Sequence, residues 1–241
     1  MNTESAIDKG SSRTVSIVVP VLNEGDGIRA ALARLATFRQ AGVELVVVDG
    51  GSSDDTLAQA DGWCDQLSVA PRGRGSQMNA GARLASGDVL IFLHADTTLP
   101  TEALSAVRQA VDRGSVWGRF DVAIAGASAW FPVIAHLMNL RSRWTGIATG
   151  DQAIFVSRSA FDVAGGFPAI PLMEDIAFSS TMRKRGRPAC LKEKVTTSGR
   201  RWEKHGVVRT IVAMWWLRLR FFLGSSPTIL ALDYGYRPRQ P

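Results

Sequence analysis

The first half of the chain alternates short, unbroken apolar runs with stretches whose apolar residues recur every three or four positions. Residues 16–21, 46–48 and 89–93 are too short and too uniformly apolar for amphipathic helices. They read as strands buried on both faces of a sheet. After the first of them, Ile28, Leu32, Leu35 and Phe38 keep helical spacing. Residues 56–60 read as a helix that Asp54 or Asp55 can cap, and residues 67–70 as a third strand. Residues 76–85 read as a helix stopped by Gly87, and Pro100 starts another that runs to 112. This alternation predicts an α/β fold with a mostly parallel central sheet, right-handed crossovers and flanking helices.

The second half is less regular. Strands are expected at 118–123 and 153–156, and a helix at 174–185 that ends before Gly186. Residues 122–140 carry no Asp, Glu, Lys or Arg, about the length of a membrane span. Gly126, Ser128, Pro132, His136 and Asn139 interrupt them, so they read as strand, loop and buried helix. Residues 207–223 form an amphipathic segment with Arg209, Arg218 and Arg220 among large apolar residues. Such a helix packs on the domain, or lies in a membrane interface with its arginines on lipid phosphates. The expected plan is a disordered tail at 1–13, one domain at 14–203, and a C-terminal helix and tail at 204–241.

Composition narrows this little. The chain has 241 residues, 46% hydrophobic and 21% charged, as soluble globular proteins do. A net charge of +6 favours an anionic partner without choosing among sugar nucleotide, lipid phosphate and nucleic acid. Two cysteines are too few for a disulfide framework, and residues 1–13 lack the apolar core of a secretory signal. A reducing cytoplasm is the expected compartment, with the inner face of the membrane as the place the C-terminal helix would touch.

The chemistry gathers where strands end, which is where open α/β sheets bind ligands. Pro20 ends the first strand, and Asn23 and Glu24 follow with acceptors for a base or ribose. Asp49 ends the second, before Gly50 and Gly51, which allow close backbone approach. A dinucleotide fold also places an acid there, but it needs Gly-x-Gly-x-x-Gly directly after strand one, and Val21-Leu22-Asn23-Glu24-Gly25 has no such loop. Arg72 and Arg74 bracket Gly73 ahead of a helix start, a phosphate cradle. His94-Ala95-Asp96 follows the fourth strand, and alternate residues of an extended chain share a side, so imidazole and carboxylate can address one Mg²⁺ or Mn²⁺. Glu174 and Asp175 open a helix, and Asp175 can serve as a general base. Arg201 and Trp202 offer a cation for a pyrophosphate and a ring to stack on a sugar or an acceptor.

Taken in this order, the motifs resemble family 2 glycosyltransferases of the GT-A fold from about residue 15 to 202. Val19-Pro20-Val21-Leu22-Asn23-Glu24 is similar to the family's first strand end. Val48-Asp49-Gly50-Gly51-Ser52 resembles its Asp-Asp-Gly-Ser turn, with Gly50 in place of the second acid. Asn79-Ala80-Gly81 resembles the helix leading to the metal strand. His94-Ala95-Asp96 stands at the Asp-x-Asp position, with His94 in place of the first acid. Glu174-Asp175 matches the family's Glu-Asp pair, and Arg200-Arg201-Trp202 is similar to its Arg-Trp motif. Asp49-Gly50-Gly51-Ser52-Ser53-Asp54, Gly150-Asp151-Gln152-Ala153-Ile154-Phe155, and Gly165-Gly166-Phe167-Pro168 leading to Leu172-Met173-Glu174-Asp175 are closer still to a bacterial subgroup associated with arsenosugar biosynthesis.

The resemblance implies an inverting transfer from a nucleotide-sugar, most simply UDP-linked, to a small-molecule or lipid-linked acceptor. It implies donor contacts from Pro20, Asn23, Glu24, Asp49, Arg72, Arg74, Asn79, Ala95 and Asp96. It implies a metal on Asp96 with His94, and an acceptor or pyrophosphate side at Asp151, Gln152, Arg201 and Trp202. Glu174 and Asp175 would be catalytic, with Asp175 the base. The alternatives are a nucleotide-sugar-binding protein without turnover and a nucleotidyltransferase, which would need a glycine-rich basic loop after strand one. A nucleic-acid module is a further rival, but no groove-entering motif is present.

Overall fold

The structure, a computed structural model, describes residues 13–236; most of the expected N-terminal tail, residues 1–12, lies outside them. At the first described residue, Arg13 Nε bonds Asp112 at 3.2 Å.

The first half follows the strand–helix alternation. β1 (Val15–Val21), β2 (Glu44–Asp49), β3 (Gln66–Val69) and β4 (Val89–Phe92) alternate with α1 (Gly25–Ala33), α2 (Ala36–Gln40), α3 (Thr56–Ala60) and α4 (Arg74–Leu84). The uniform apolarity of the strands has a direct cause. Ile17, Val19, Leu45, Val47 and Ile91 face one side, against Ile28, Leu32 and Phe38. Val18, Val46, Val48, Leu90 and Phe92 face the other, against Met78 and Ala82 of α4 and Phe161, Phe167 and Phe178. α4 sits so close to the sheet that a Cβ on Gly81 would run into the Val18 side chain.

The described residues then add β5 (Thr97–Thr98), α5 (Ala103–Asp112), β6 (Trp117–Ala125), α6 (Phe131–Thr145), a 3₁₀ turn at Gly150–Gln152 and β7 (Ile154–Ser157). After these come α7 (Arg158–Ala164), α8 (Glu174–Arg183), β8 (Ala189–Ser198), α9 (Arg200–His205), α10 (Val207–Phe222) and α11 (Pro227–Asp233). The sheet has eight strands in the order β3-β2-β1-β4-β7-β6-β8-β5.

The sheet is mixed, with parallel pairing predominant as expected and antiparallel pairing where β7 and β5 join. β1–β2, β1–β4, β2–β3 and β6–β8 pair in parallel, while β4–β7, β6–β7 and β5–β8 pair antiparallel. The β–α alternation that enforces parallel pairing ends at α5. β6 leads through α6 and the Gly150–Gln152 turn into β7, which enters between β4 and β6 from the opposite end. β8 went unpredicted because Lys192, Glu193 and Lys194 break its pattern. They lie where the β6 register jumps, Phe120 pairing Leu191 and Asp121 pairing Lys194.

The uncharged run at 122–140 is strand, loop and helix as expected, but the helix continues to Thr145 and exposes Val133 and Leu137. No helix among the described residues is long and apolar enough to cross a membrane.

Candidate active site

The carboxyl ends of β1 and β4 open on a cleft made of two joined hollows, of about 280 and 250 Å³. Arg74, His94, Asp96, Leu172 and Tyr234 line both. Pro20, Glu24, Arg72, Gln77 and Ala95 line the first, and Asp151, Asp175, Arg201, Trp202 and Arg218 the second. Residues from positions 20 to 234 thus meet at one rim.

On the first side the loops are built before any ligand is considered. Asp49 is fully buried. Its Oδ2 accepts the amides of Gly51 (2.7 Å) and Ser52 (2.8 Å), and its Oδ1 accepts the Ser52 hydroxyl. The turn therefore engages both carboxylate oxygens. Asn23, in the left-handed region at φ 52°, braces the same turn: its amide donates to Ser52 Oγ and its Oδ1 accepts the Ser53 amide, both at 2.8 Å. Asn79 clamps the backbone of Phe167, donating to its carbonyl (2.8 Å) and accepting its amide (2.9 Å). These three position the cleft's walls.

Gln77, absent from the expected set, is buried and lines the cleft. Its Nε2 donates to the carbonyls of Val21 (2.7 Å) and Val48 (2.9 Å), tying β1 to β2. A Cβ on Gly50 would come within 3.0 Å of the Gln77 amide, so Gln77 fills the space beside the glycine that stands where the family pattern has its second acid. α4 begins at Arg74, two residues earlier than expected, which puts Arg74 in its first turn. Arg74 approaches Glu174 at 3.9 Å, and Arg72 lies 5.2 Å from the Tyr236 ring centre. Burial, aided by the charge of Asp96, raises the pKa of Glu24.

His94 to Asp96 is not extended. The Thr97 amide bonds the His94 carbonyl at 3.0 Å, closing a turn, and the turn delivers both side chains to the cleft. His94 Nδ1 stands 3.6 Å from Asp151 Oδ1. Burial pushes the Asp151 carboxyl up, but His94, Arg74 and Arg218 together hold it below its ordinary value. Among the described residues no cluster of three or more His, Cys, Asp or Glu forms a self-sufficient metal cage. One carboxylate and one imidazole at a phosphate-sized cleft still fit a divalent cation that draws its other ligands from substrate oxygens and water.

The second side hangs on α8. Met173 precedes it in the left-handed region at φ 70°, turning Glu174 inward and Asp175 to the cleft. Asp175 Oδ2 accepts the Gly150 amide at 2.8 Å and Oδ1 accepts the Ile176 amide at 2.7 Å. Glu174 is buried; burial first, then Asp175, raises its pKa against the pull of Arg74. Gln152 is buried and braces its own turn, its Oε1 accepting the Thr149 amide at 3.3 Å. Arg201 lies 3.8 Å over the Tyr234 ring, and Trp202 borders the cleft.

Sequence reasoning missed what the C-terminal helices contribute. Thr210, Met214 and Arg218, spaced four apart on α10, present one face to the second hollow, and Tyr234 joins them. The polar members of that spacing were the available signal. Arg218 therefore faces the site, and Arg220 pairs with Asp233, which leaves Arg209 as the exposed arginine of this helix.

A family model described as Glycosyl transferase family 2 matches residues 16–170. An uncharacterized glycosyltransferase of Mycobacterium tuberculosis is 34% identical over 119 residues, 45% of each chain. A PGL/p-HBAD biosynthesis glycosyltransferase of Mycobacterium bovis is 37% identical over 91 residues, 35% of this chain and 36% of its own. The chain spans less than half the length of these curated relatives. Among solved structures, a mannosyltransferase of Pyrobaculum calidifontis with GDP-Man and Mn²⁺ matches 78% of this chain and 57% of its own, at TM-score 0.58 and 20% identity. Glucosyl-3-phosphoglycerate synthase of Mycobacterium tuberculosis, with Mn²⁺, UDP and glucosyl-3-phosphoglycerate, matches 77% and 71%, at TM-score 0.57 and 20% identity. These likenesses support the GT-A fold.

Proposed function

Because the chain belongs to glycosyl transferase family 2, we propose that it moves a sugar from a nucleoside-diphosphate donor to an acceptor hydroxyl, with inversion. One observation carries this reading. A single cleft holds Arg72 at one end, Asp175 at the other, and Arg74, His94 and Asp96 between them. Arg72 and Arg74 hold the diphosphate, with Glu24, Pro20 and Gln77 beside the nucleoside. Asp175 takes the proton of the acceptor hydroxyl as it attacks the anomeric carbon from the face opposite the leaving group. Trp202 gives the acceptor a flat wall. Asp96 and His94 would hold a divalent cation, which when bound neutralises charge on the departing diphosphate. The solved neighbours bound to GDP-Man or UDP with Mn²⁺ support a nucleotide donor and a cation here. Positioning and charge, rather than covalent chemistry, supply the rate.

The motif wording at 49–54, 150–155 and 165–175 places the chain, in this reading, with the arsenosugar-associated subgroup. A second reading concerns location. Val208, Val212, Trp215, Trp216, Leu219 and Phe222 of α10 are all exposed, a stripe suited to a membrane interface. With Arg218 turned to the second hollow and Arg220 paired with Asp233, such docking would rest on apolar insertion more than on charge. Flotation with neutral and anionic vesicles tests it, and a protein that stays in the soluble fraction with both removes it.

The test of the main reading is thermal shift on the full chain with UDP and GDP, each with and without Mn²⁺. One nucleotide with Mn²⁺ raises the melting temperature. Asp96→Ala loses that gain while melting near the wild type alone. No shift with either nucleotide, or an oligonucleotide that competes them off, sinks the donor site.

A further inference from the structure

Arg218 of α10, which lines the second hollow, and Arg141 of α6, whose charge lies near it, differ from the other arginines of the fold. Arg74 has Glu174, Arg119 and Arg143 share Asp121, Arg158 donates to three backbone carbonyls and Arg220 has Asp233. Arg141 Nε and Nη2 and Arg218 Nε are buried without a hydrogen-bond partner among the described residues. Buried cationic nitrogens left unpaired are costly. Here the Arg218 charge adds repulsion at Arg141.

The groups facing the pair do not offset this. Asp175 lies close enough to favour both charges, but its oxygens accept the amides of Gly150 and Ile176. Asp151 does likewise and leans on His94. Arg119 adds a further positive charge near Arg141. Burial and Arg218 together pull the Arg141 pKa down to about 10. Arg218 lines the same hollow as Asp175, on the side away from Arg72.

We infer that Arg141 and Arg218 form an anion subsite that receives a phosphate group carried by the acceptor. Two planar forks with free N–H groups match a tetrahedral oxyanion. A phosphate held there leaves the rest of the acceptor beside Asp175. The inference rests on the transferase reading for the word acceptor, though not for the anion itself. In that reading the donor diphosphate has Arg72 in the first hollow and Arg74 where the two hollows join.

The test is calorimetric titration of the full chain with inorganic phosphate, the donor side saturated with UDP and Mg²⁺. Phosphate is expected to bind the wild type under these conditions. Arg141→Met and Arg218→Met each weaken it at least tenfold and keep UDP affinity within twofold. In phosphate-free buffer both variants melt above the wild type, because each removes an unpaired buried charge, and phosphate narrows the gap. If either fails to fold, Arg218→Lys replaces it; it keeps the charge, loses the fork and binds phosphate several-fold more weakly.

Displacement of phosphate by UDP, or equal phosphate affinity in wild type and variants, overturns the inference. If UDP does not bind at all, the donor reading falls, and the comparison in phosphate alone still decides the subsite. Parallel arms with sn-glycerol 3-phosphate and with phosphatidate-containing vesicles separate the sources. Arginine-dependent binding of the first marks a soluble phosphomonoester, and of the second a lipid headgroup.

Discussion

The Gly150 amide donates to Asp175 Oδ2 at 2.8 Å. On its other side the same glycine has no room for a Cβ, because the His94 imidazole occupies that space. One residue of the turn before β7 thus fixes both the proposed base and a proposed metal ligand. The absence of a side chain is what lets them share it.

Gly150→Ala tests that link. Its backbone is not in the left-handed region, so alanine is tolerated by the chain and only the imidazole must move. Transfer should fall by about 10²-fold, the scale on which a 1 Å misplacement acts. The melting temperature should move little. A wild-type kcat/KM in this variant would mean that the position of His94 is immaterial.

Asp175→Asn keeps an oxygen to accept from Gly150 and loses the basic one. Turnover should drop by roughly 10²–10⁴-fold, the usual worth of a positioned base, with UDP affinity unchanged by calorimetry. Retained turnover would move the base elsewhere.

Glu174 gives a stability signature. Its pKa is raised in the folded state, from an ordinary 4.5, by burial and by Asp175. Between that value and the raised one the native state binds more protons than the unfolded chain, so stability falls as pH rises through this window. Glu174→Gln removes the titration. It should melt above the wild type at neutral pH, with the difference shrinking as pH falls through this window and gone below 4.5. A difference independent of pH would assign the effect to the lost approach of Arg74.

Gln77 and Gly50 should be coupled. Gln77→Ala leaves two carbonyls without their side-chain donor and should cost about 1–3 kcal/mol in denaturant unfolding. Gly50→Ala should be harmful in the wild type and milder in Gln77→Ala, where the crowding amide is gone. Additive effects would show that the two do not share space.

Why some of this was legible and some not follows from the kind of signal each residue leaves. β1, β2 and β4 were readable because two-sided burial demands runs such as Val46-Val47-Val48. β8 was not, because its charged stretch sits at a register jump that only its partner strand reveals. Arg74, Asp96 and Asp175 could be chosen from their places at element ends, and they meet. Asp49 shows the limit of that logic: the amides of Gly51 and Ser52 capture its oxygens, a local competition invisible in a list of acids. Arg218 stays open in the sequence between a packed helix and a lipid-facing one, because helical spacing gives a face but not its direction.

α10 carries Thr210, Met214 and Arg218 on one face and the exposed Trp215, Trp216 and Phe222 on the other. A rod cannot lift one side and leave the other behind. In the proposed reading, any surface that held the tryptophans would also pull on the wall of the hollow that Asp175 shares, so anchorage and aperture would lie on one mechanical axis.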